Sequence, residues 1–188
     1  MNGELILLLG GARAGKSAAA ERLAQAGRRV LFIATAEALD EEMRRRIAAH
    51  RSRRPSGWDT LEEPLDPVAA ARPVLDRYDT VVLDCLTLWV SNLLLRQADD
   101  SGAEAAILNA AGALLELIER STPTWIVISN EVGLGVVPPS PLGRTYRDAL
   151  GRVNQLVAAR AGKAYLMVAG LALELKELNA QPFSQLDP

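Results

Sequence analysis

The chain has 188 residues, of which 49% are hydrophobic and 23% are charged, a composition typical of one soluble globular domain. Its formal net charge of −2 argues against general binding to nucleic acid. Its single cysteine, Cys85, excludes an internal disulfide framework and fits a reducing compartment. No apolar run is long enough to span a bilayer, so the sequence indicates a cytoplasmic protein.

Five apolar runs of strand length, rich in Val, Ile and Leu, recur along the chain, at residues 4–9, 29–34, 80–84, 124–129 and 164–169. Segments with the pattern of amphipathic helices lie at residues 16–26, 39–54, 85–97, 103–120 and 142–161. This alternation predicts an α/β fold, a single domain over residues 1–188 in which helices flank a mostly parallel sheet. We expect a surface loop at residues 136–141 and a loosely ordered tail from about residue 178.

The first predicted strand runs into a glycine-rich stretch, GGARAGKS, that matches G-x-x-x-x-G-K-S through Gly10, Gly15, Lys16 and Ser17. Glycines let such a loop curl so that its backbone N–H groups point at phosphate oxygens, and the following helix adds its positive end. Lys16 would reach the β- and γ-phosphates, and the Ser17 hydroxyl would coordinate Mg²⁺. The alternative, a turn with a chance lysine, fits poorly with the order of strand, loop and helix.

Asp84 closes the predicted strand at residues 80–84. A carboxylate at this point fits the second metal-organising position of phosphate-loop enzymes, so Ser17 and Asp84 together predict a Mg²⁺ site. The alternative role for Asp84 is to cap the helix that begins near Cys85.

The only histidine, His50, lies in an arginine-rich helix. Met43, Ile47 and His50 recur at i, i+4 and i+7, which places the imidazole on the apolar face of that helix. The arginines around it would disfavour an imidazolium, and a neutral imidazole is a nucleophile. They could also bind a triphosphate and stabilise departing pyrophosphate. They are Arg44, Arg45, Arg46, Arg51, Arg53 and Arg54.

Residue chemistry alone leaves two simpler explanations open. A lone histidine on an apolar face is more often a packed, hydrogen-bonded residue than a catalyst. An arginine-rich stretch is more often a solvated face or a nucleic-acid patch than an active site.

Four segments closely resemble, in the same order, the bifunctional adenosylcobinamide kinase / adenosylcobinamide-phosphate guanylyltransferase family of cobalamin biosynthesis. They are GGARAGKS, FIATAEALDEEMRRRIAAHRSRRPSGWDTLEEP, DCLTLWVSNLL and ISNEVGLGVVPPSPLGRTYRDALGRVNQLVAARAGKAYLMVAGLALELK. The R-I-x-x-H-x-x-x-R-P segment and the N-E-V-G-x-G-x-V-P loop make the resemblance specific, and it covers nearly the whole chain.

The resemblance implies that His50 becomes covalently guanylylated and that Lys16 acts in the kinase step. It also implies nucleotide contacts from the phosphate loop, the second strand end, the segment after His50 and two carboxylates. Those residues are Gly10, Gly11, Ala12, Arg13, Ala14, Gly15, Lys16, Ser17, Ala34, Thr35, Ala36, Arg51, Ser52, Arg53, Arg54, Glu62 and Asp84. Ala14 stands where the family's loop usually has serine, and Asp84 where some relatives have glutamate.

By the same resemblance, the protein would phosphorylate adenosylcobinamide with ATP or GTP. It would then transfer GMP from GTP through GMP-His50 to adenosylcobinamide phosphate, with Mg²⁺ as cofactor. The implied fold is a RecA-like phosphate-loop domain, and the implied assembly is a homo-oligomer, with a trimer favoured.

Two rival functions remain open on the residues alone. The chain could be a phosphate-loop kinase of another small molecule, or a GTP-binding regulatory protein, with His50 structural in either case. Asn130 and Glu131, which follow a predicted strand, could assist substrate or metal binding or could form a structural turn. We expect Cys85 to be buried and inert. The tryptophans, expected to be packing residues, are Trp58, Trp89 and Trp125.

Overall fold

The structure is a computed structural model that describes residues 3–97 and 102–182. Its strands are β1 (Leu5–Gly10), β2 (Val30–Ala34), β3 (Asp59–Glu62), β4 (Thr80–Asp84), β5 (Thr124–Asn130), β6 (Lys163–Val168) and β7 (Leu171–Glu174). Its α-helices are α1 (Lys16–Ala24), α2 (Glu41–Arg53), α3 (Pro67–Ala71), α4 (Leu86–Leu95), α5 (Ala103–Arg120) and α6 (Pro141–Arg160), and a 3₁₀ turn spans Leu75–Arg77.

Across the described residues, the strands form one seven-stranded sheet in the order β3–β2–β4–β5–β1–β6–β7. Neighbouring strands are parallel, except that β6 and β7 form an antiparallel hairpin. The five predicted strands and five predicted helices are all present. The predicted α/β fold with a mostly parallel sheet flanked by helices is therefore confirmed.

The strands β3 and β7 are absent from the sequence prediction. Both are four-residue strands at the edges of the sheet, and most of their side chains are exposed. An edge strand of this kind buries little apolar surface, so its sequence carries no long apolar run by which to recognise it.

Apolar layers cover both faces of the sheet. Trp89 and Trp125 are fully buried in the larger layer, beneath α3 to α6, so their predicted packing role is confirmed. On the other face, beneath α1, Trp58 stacks on Phe32 with ring centroids 6.4 Å apart. Cys85 is buried in this second layer, and burial raises the pKa of its thiol to about 12. The predicted burial of Cys85 is therefore confirmed, and a thiol whose pKa is raised in this way favours the protonated form at neutral pH.

The carboxyl ends of four adjacent strands bring distant parts of the sequence to one edge of the sheet. In the spatial order β2, β4, β5 and β1, these strands end at Ala34, Asp84, Asn130 and Gly10. In open parallel sheets, ligands bind outside these strand ends. The topology thus assembles the predicted site from segments up to 120 residues apart.

Residues 131–140 are irregular, and α6 begins at Pro141, which is the last residue of the predicted surface loop. Of the predicted tail from about residue 178, residues 183–188 lie outside the described residues. Nearer the sheet, the Ala180 N–H donates to the Leu175 carbonyl at 3.1 Å. Within residues 3–97 and 102–182, no helix has the length and apolar character that crossing a membrane requires.

Candidate functional site

The backbone of the phosphate loop requires glycine at two positions. Gly10 has φ +153°, and a Cβ there would lie 2.3 Å from the Met167 carbonyl oxygen. Gly15 has φ +98° at the N-cap of α1. Both are conformations that other residues rarely adopt. Ala14 is buried, and its carbonyl accepts a 3.2 Å hydrogen bond from Gly170 N–H.

The Lys16 ammonium lies inside this loop. It is buried and donates to the carbonyl oxygens of Gly10 at 2.9 Å and Gly11 at 2.7 Å. Burial lowers the pKa of Lys16, and the nearby Asp84 carboxylate acts in the opposite direction. The first turn of α1 thus presents a desolvated cation at the position where the sequence predicts phosphate binding.

Two of the predicted site residues, Ser17 and His50, meet at the carboxylate of a third, Asp84. Ser17 Oγ donates a long hydrogen bond of 3.4 Å to Asp84 Oδ2, and His50 Nδ1 lies 4.0 Å from the same oxygen. The Asp84 side chain is 16% exposed, and that of His50 is 42% exposed. Burial raises the pKa of Asp84, while His50, Ser17, Arg54 and Lys16 act to lower it.

The donor set of Ser17 and Asp84 fits a divalent cation. A buried carboxylate beside a hydroxyl offers the oxygen ligands that Mg²⁺ prefers. Among the described residues, no group of three or more His, Cys, Asp or Glu side chains is placed to hold a metal. A Mg²⁺ ion at this position would therefore complete its coordination with phosphate oxygens and water, as is usual for phosphate-loop enzymes.

Helix α2 places His50 at the site. The Asp40 side chain caps its start by accepting from Met43 N–H at 2.7 Å. Of the α2 side chains that the structure describes, Met43, Ile47 and His50 are half-buried and the others are exposed. The predicted apolar face of this helix is therefore confirmed, and the imidazole is the member of that face nearest its C-terminal end.

The side chains after His50 form more ion pairs and hydrogen bonds with other groups of the protein than the sequence indicates. Arg51 forms an ion pair with Glu62 at the end of β3, and the Ser52 hydroxyl donates to the Ala49 carbonyl. Earlier in α2, Arg44 pairs with Glu41. The charge around His50 is thus more balanced than a run of arginines implies. The side chain of Arg53 lies outside the described residues.

Arg54 is the arginine that the structure brings toward the carboxylate. Its guanidinium lies 3.9 Å from the centre of the Phe32 ring, and its charge acts to lower the pKa of Asp84. Burial lowers the pKa of Arg54 itself. Among the described residues its buried Nε has no hydrogen-bond partner. Its Nη1 donates a long hydrogen bond of 3.4 Å to Thr60 Oγ1. A partly desolvated guanidinium near Asp84 is suited to an anionic ligand.

Asn130 and Glu131 are hydrogen-bonded to both the phosphate loop and the helix that follows Asp84. The Glu131 N–H donates to the Gly10 carbonyl at 3.2 Å, the same oxygen that accepts from Lys16. The Asn130 N–H donates to Thr87 Oγ1 at 2.8 Å, in the first turn of the helix after Asp84. The sequence analysis assigned no roles to these two residues. The structure shows that their backbone N–H groups form these hydrogen bonds.

The sequence of the chain matches a known family along most of its length. Residues 6–175 match the model of the cobinamide kinase / cobinamide phosphate guanyltransferase family. The chain belongs to that family.

Named relatives match most of its length. It is 48% identical over 175 residues to the bifunctional adenosylcobalamin biosynthesis protein CobP of Pseudomonas aeruginosa, covering 90% of this chain and 96% of the relative. It is 39% identical over 182 residues to the protein CobU of Escherichia coli K12, covering 92% and 99%.

A solved structure supports the fold alone. The type III secretion ATPase EscN of enteropathogenic E. coli matches with a TM-score of 0.54 at 14% identity, covering 94% of this chain. The chain spans 45% of the EscN chain. This likeness agrees with a phosphate-loop NTPase-like α/β domain in the cobinamide kinase / guanyltransferase family.

Thr35, predicted as a nucleotide contact, also fixes the backbone beside Asp84. Its N–H donates to the Asp84 carbonyl at 3.1 Å. Its hydroxyl accepts from Cys85 N–H at 2.8 Å and donates to the Cys85 carbonyl at 2.7 Å. The Asp84–Cys85 peptide bond that Thr35 brackets is cis. Asn92 Nδ2 in turn donates to the Thr35 carbonyl at 2.7 Å.

These supporting residues escaped the sequence analysis. Asn92 is a buried amide in the mostly apolar stretch LTLWVSNLLL. Asn154 is buried beside Val153 in α6, where it bonds Ser129 and Asn130. A polar residue within a buried apolar stretch was the available signal, since such a group must find partners. Which partners it finds depends on non-local packing. The predicted nucleotide contacts of Ala34, Ala36 and the loop residues stay predictions.

We expect Thr35→Val to reduce the kcat of the kinase reaction by about tenfold or more, because small displacements of catalytic groups are costly. Valine has the shape of threonine but removes the acceptor of the Cys85 N–H, and it leaves the Cys85 carbonyl with the Trp89 N–H as its donor. We also expect it to lower the unfolding free energy by about 2 kcal/mol. Steady-state kinetics and urea unfolding measure the two effects.

The matched control is Thr35→Ser, which retains the hydroxyl and loses one buried methyl group. It should keep most of the kcat while losing about 1 kcal/mol of stability. Equal kcat values for the valine variant and the wild-type protein would show that Thr35 does not position Asp84.

Proposed function

We propose that the protein carries out two reactions at this one site. It phosphorylates the aminopropanol hydroxyl of adenosylcobinamide with a nucleoside triphosphate, and it then transfers GMP from GTP to give adenosylcobinamide-GDP. The observation that carries the proposal is the meeting of Ser17 and His50 on one carboxylate, Asp84. A phosphate-loop residue and a candidate nucleophile thus lie close enough to act on the same nucleotide.

In the kinase reaction, the chain mainly positions the triphosphate and offsets its charge. The loop backbone and the α1 N-terminus hold the phosphates, and the Lys16 ammonium stabilises charge that develops between the β- and γ-phosphates. Ser17 and Asp84 would hold Mg²⁺, which neutralises phosphate charge when bound. The acceptor hydroxyl forms the new P–O bond as the bond to the β-phosphate breaks.

In the guanylyl transfer, His50 attacks the α-phosphorus of GTP, and pyrophosphate leaves as the P–N bond forms. The Asp84 carboxylate faces Nδ1, which favours a proton on that nitrogen and a lone pair on Nε2. Arg54 is placed to bind phosphate oxygens in this step. A phosphate oxygen of adenosylcobinamide phosphate then attacks the phosphorus of GMP-His50, and the P–N bond breaks. The covalent adduct divides one difficult displacement into two easier ones.

The proposal includes a homo-oligomer in the cytoplasm, with a trimer favoured by the family resemblance. The single, buried cysteine fits a reducing compartment. Support for an oligomer comes from β7, an edge strand on which Leu171 and Leu173 are exposed to solvent. Unpaired apolar edges of this kind are usually covered by another chain or element.

We expect Lys16→Ala to abolish phosphorylation of adenosylcobinamide, because the β- and γ-phosphates lose their principal side-chain cation. Transfer of label from γ-labelled nucleotide to the corrinoid measures the effect. Lys176→Ala is the control, since Lys176 Nζ also donates to a backbone carbonyl, that of Ala161. Normal phosphorylation by the Lys16 variant would refute our assignment of the phosphate loop.

Both activities should require Mg²⁺ and should stop in excess EDTA. Asp84→Asn keeps the side-chain shape and removes a buried charge, so the protein should fold with undiminished thermal stability. We expect the Mg²⁺ concentration for half-maximal activity to rise by about tenfold or more, within the range seen when metal sites lose a supporting group. A magnesium titration of each activity decides the point, and full turnover in EDTA would contradict it.

Incubation with α-labelled GTP should leave an acid-labile, base-stable label on the wild-type protein, and adenosylcobinamide phosphate should discharge it. His50→Ala should form no adduct, yet should keep measurable kinase activity, because γ-phosphoryl transfer does not need an imidazole nucleophile. His50→Asn, a similar polar shape without the nucleophilic nitrogen, should behave in the same way. An adduct on the His50→Ala variant would place the nucleophile elsewhere.

A further inference from the structure

An apolar loop stands beside the phosphate loop with its large side chains in solvent. It comprises residues 131–140, between β5 and α6. Leu134 is 87% exposed, Val136 is 96% exposed and Val137 is 60% exposed. Single exposed apolar residues are ordinary, but three within four positions form a patch of the kind that marks a binding surface. We refer to these three side chains as the apolar tip.

The first end of the apolar loop is tied directly to the catalytic groups. Glu131 N–H donates to the Gly10 carbonyl, which also accepts from Lys16 Nζ, so one oxygen joins the loop to the phosphate-binding cation. The preceding residue, Asn130, is held through its N–H by Thr87 and through its carbonyl by Asn154. The loop therefore begins at a fixed position relative to Lys16.

The second end of the apolar loop is anchored as well. Arg144 Nη1 donates to the carbonyls of Pro138 at 3.1 Å and Pro139 at 2.8 Å, and the Ser140 hydroxyl accepts from Gly143 N–H as the N-cap of α6. Near the first end, the Glu131 carboxylate accepts from Gly133 N–H at 2.6 Å. The tip is thus presented to solvent between two hydrogen-bonded stems, and its exposure does not come from an untethered segment.

The chemistry of the tip suits the acceptor and not the nucleotide. A triphosphate is recognised by N–H donors, cations and metal, and leucine and valine side chains supply none of these. The acceptor of the proposed function has a hydroxyl that must reach the γ-phosphorus held by Lys16. The macrocycle attached to that hydroxyl must then lie outside the phosphate loop, at the sheet edge where the apolar loop begins with Glu131 bonded to Gly10.

We propose, resting on the function proposed above, that the apolar tip of Leu134, Val136 and Val137 binds the corrin ring of the acceptor through apolar contact. The ring is a large macrocycle with methyl groups at its periphery, and burying it against three exposed aliphatic side chains is favourable. The ring is unchanged by either reaction. The same contact therefore holds adenosylcobinamide in the kinase step and its phosphate in the guanylyl transfer.

The test compares acceptor binding with nucleotide chemistry in a double variant, Leu134→Ser/Val136→Ser. We expect its KM for adenosylcobinamide and for adenosylcobinamide phosphate to rise about tenfold, a change within reach of two lost apolar contacts. Ultrafiltration of the coloured corrinoid should show a matching rise in Kd. Labelling by α-labelled GTP proceeds without the acceptor and should keep its wild-type rate and GTP dependence.

Two further variants control for trivial effects. Leu178→Ser removes an exposed leucine that the proposal does not involve and should change neither KM. Leu134→Met/Val136→Ile keeps the tip apolar and should retain wild-type KM values for both acceptors. Far-UV circular dichroism and thermal unfolding establish that each variant is folded.

Each other outcome has a definite meaning. Unchanged KM values for both acceptors in the serine variant would overturn the proposal. Loss of GTP labelling in that variant would place the tip at the nucleotide, and a changed oligomeric state on size-exclusion chromatography would make it a contact between copies of the chain; either result also overturns it. If the wild-type protein neither phosphorylates the corrinoid nor takes up label, the proposed function itself fails.

Discussion

The burial of the Asp84 carboxylate is the constraint around which the site is built. Burial raises the pKa of Asp84, which means that the surroundings oppose its charge. The opposing attraction comes from groups on separate elements: Ser17 and Lys16 on α1, His50 on α2, and Arg54 just after α2. A partly desolvated carboxylate is stabilised by any cation that comes close to it. The same constraint accounts for the approach of the α2 histidine and would suit the metal-organising role proposed for Asp84.

The parallel sheet is what allows two distant residues, Ser17 and His50, to share that carboxylate. β4 carries Asp84 to the site edge between β2 and β5, with β1 one strand further along. Helix α1 leaves from the end of β1 and brings Ser17, and the chain leaving β2 continues into α2 and brings His50. Thr35, at the end of β2, then bonds across to both sides of the Asp84–Cys85 peptide. Strand pairing and the side-chain hydrogen bonds of Thr35 therefore both hold Asp84 in place.

The sequence could predict those parts of the protein whose signal is local. Buried parallel strands are recognisable as apolar runs, and the phosphate loop is recognisable as spaced glycines before lysine and serine. The apolar face of α2 is recognisable from the helical spacing of Met43, Ile47 and His50. The prediction that His50 is guanylylated came from the family resemblance, because residue chemistry alone favoured a structural histidine. β3 could not be predicted in this way, because its side chains face solvent and need no apolar run.

The non-local contacts of the site were also beyond the sequence. Nothing near Arg51 in the chain indicates that its partner is Glu62, and nothing near Asn130 indicates that Gly10, Thr87 and Asn154 will hold its segment. Such pairings depend on strand order, which the apolar pattern leaves open. The buried amides show this limit most clearly. A buried amide side chain must have hydrogen-bond partners, but only the fold shows which groups those partners are.

The arginines after His50 show how the structure revises a reading from composition. Arg51 and Glu62, both predicted to contact nucleotide, form an ion pair with each other, and both side chains are about half exposed. An exposed pair of this kind contributes little to stability, so exchanging the carboxylate for a phosphate oxygen costs little. Arg54 is different, because its guanidinium is already stacked on Phe32 and partly desolvated near Asp84. Stacking fixes the plane of the guanidinium, and a fixed plane loses less freedom when it binds an anion. Arg54 is therefore better preorganised to bind an anion than Arg51, which must first release its partner.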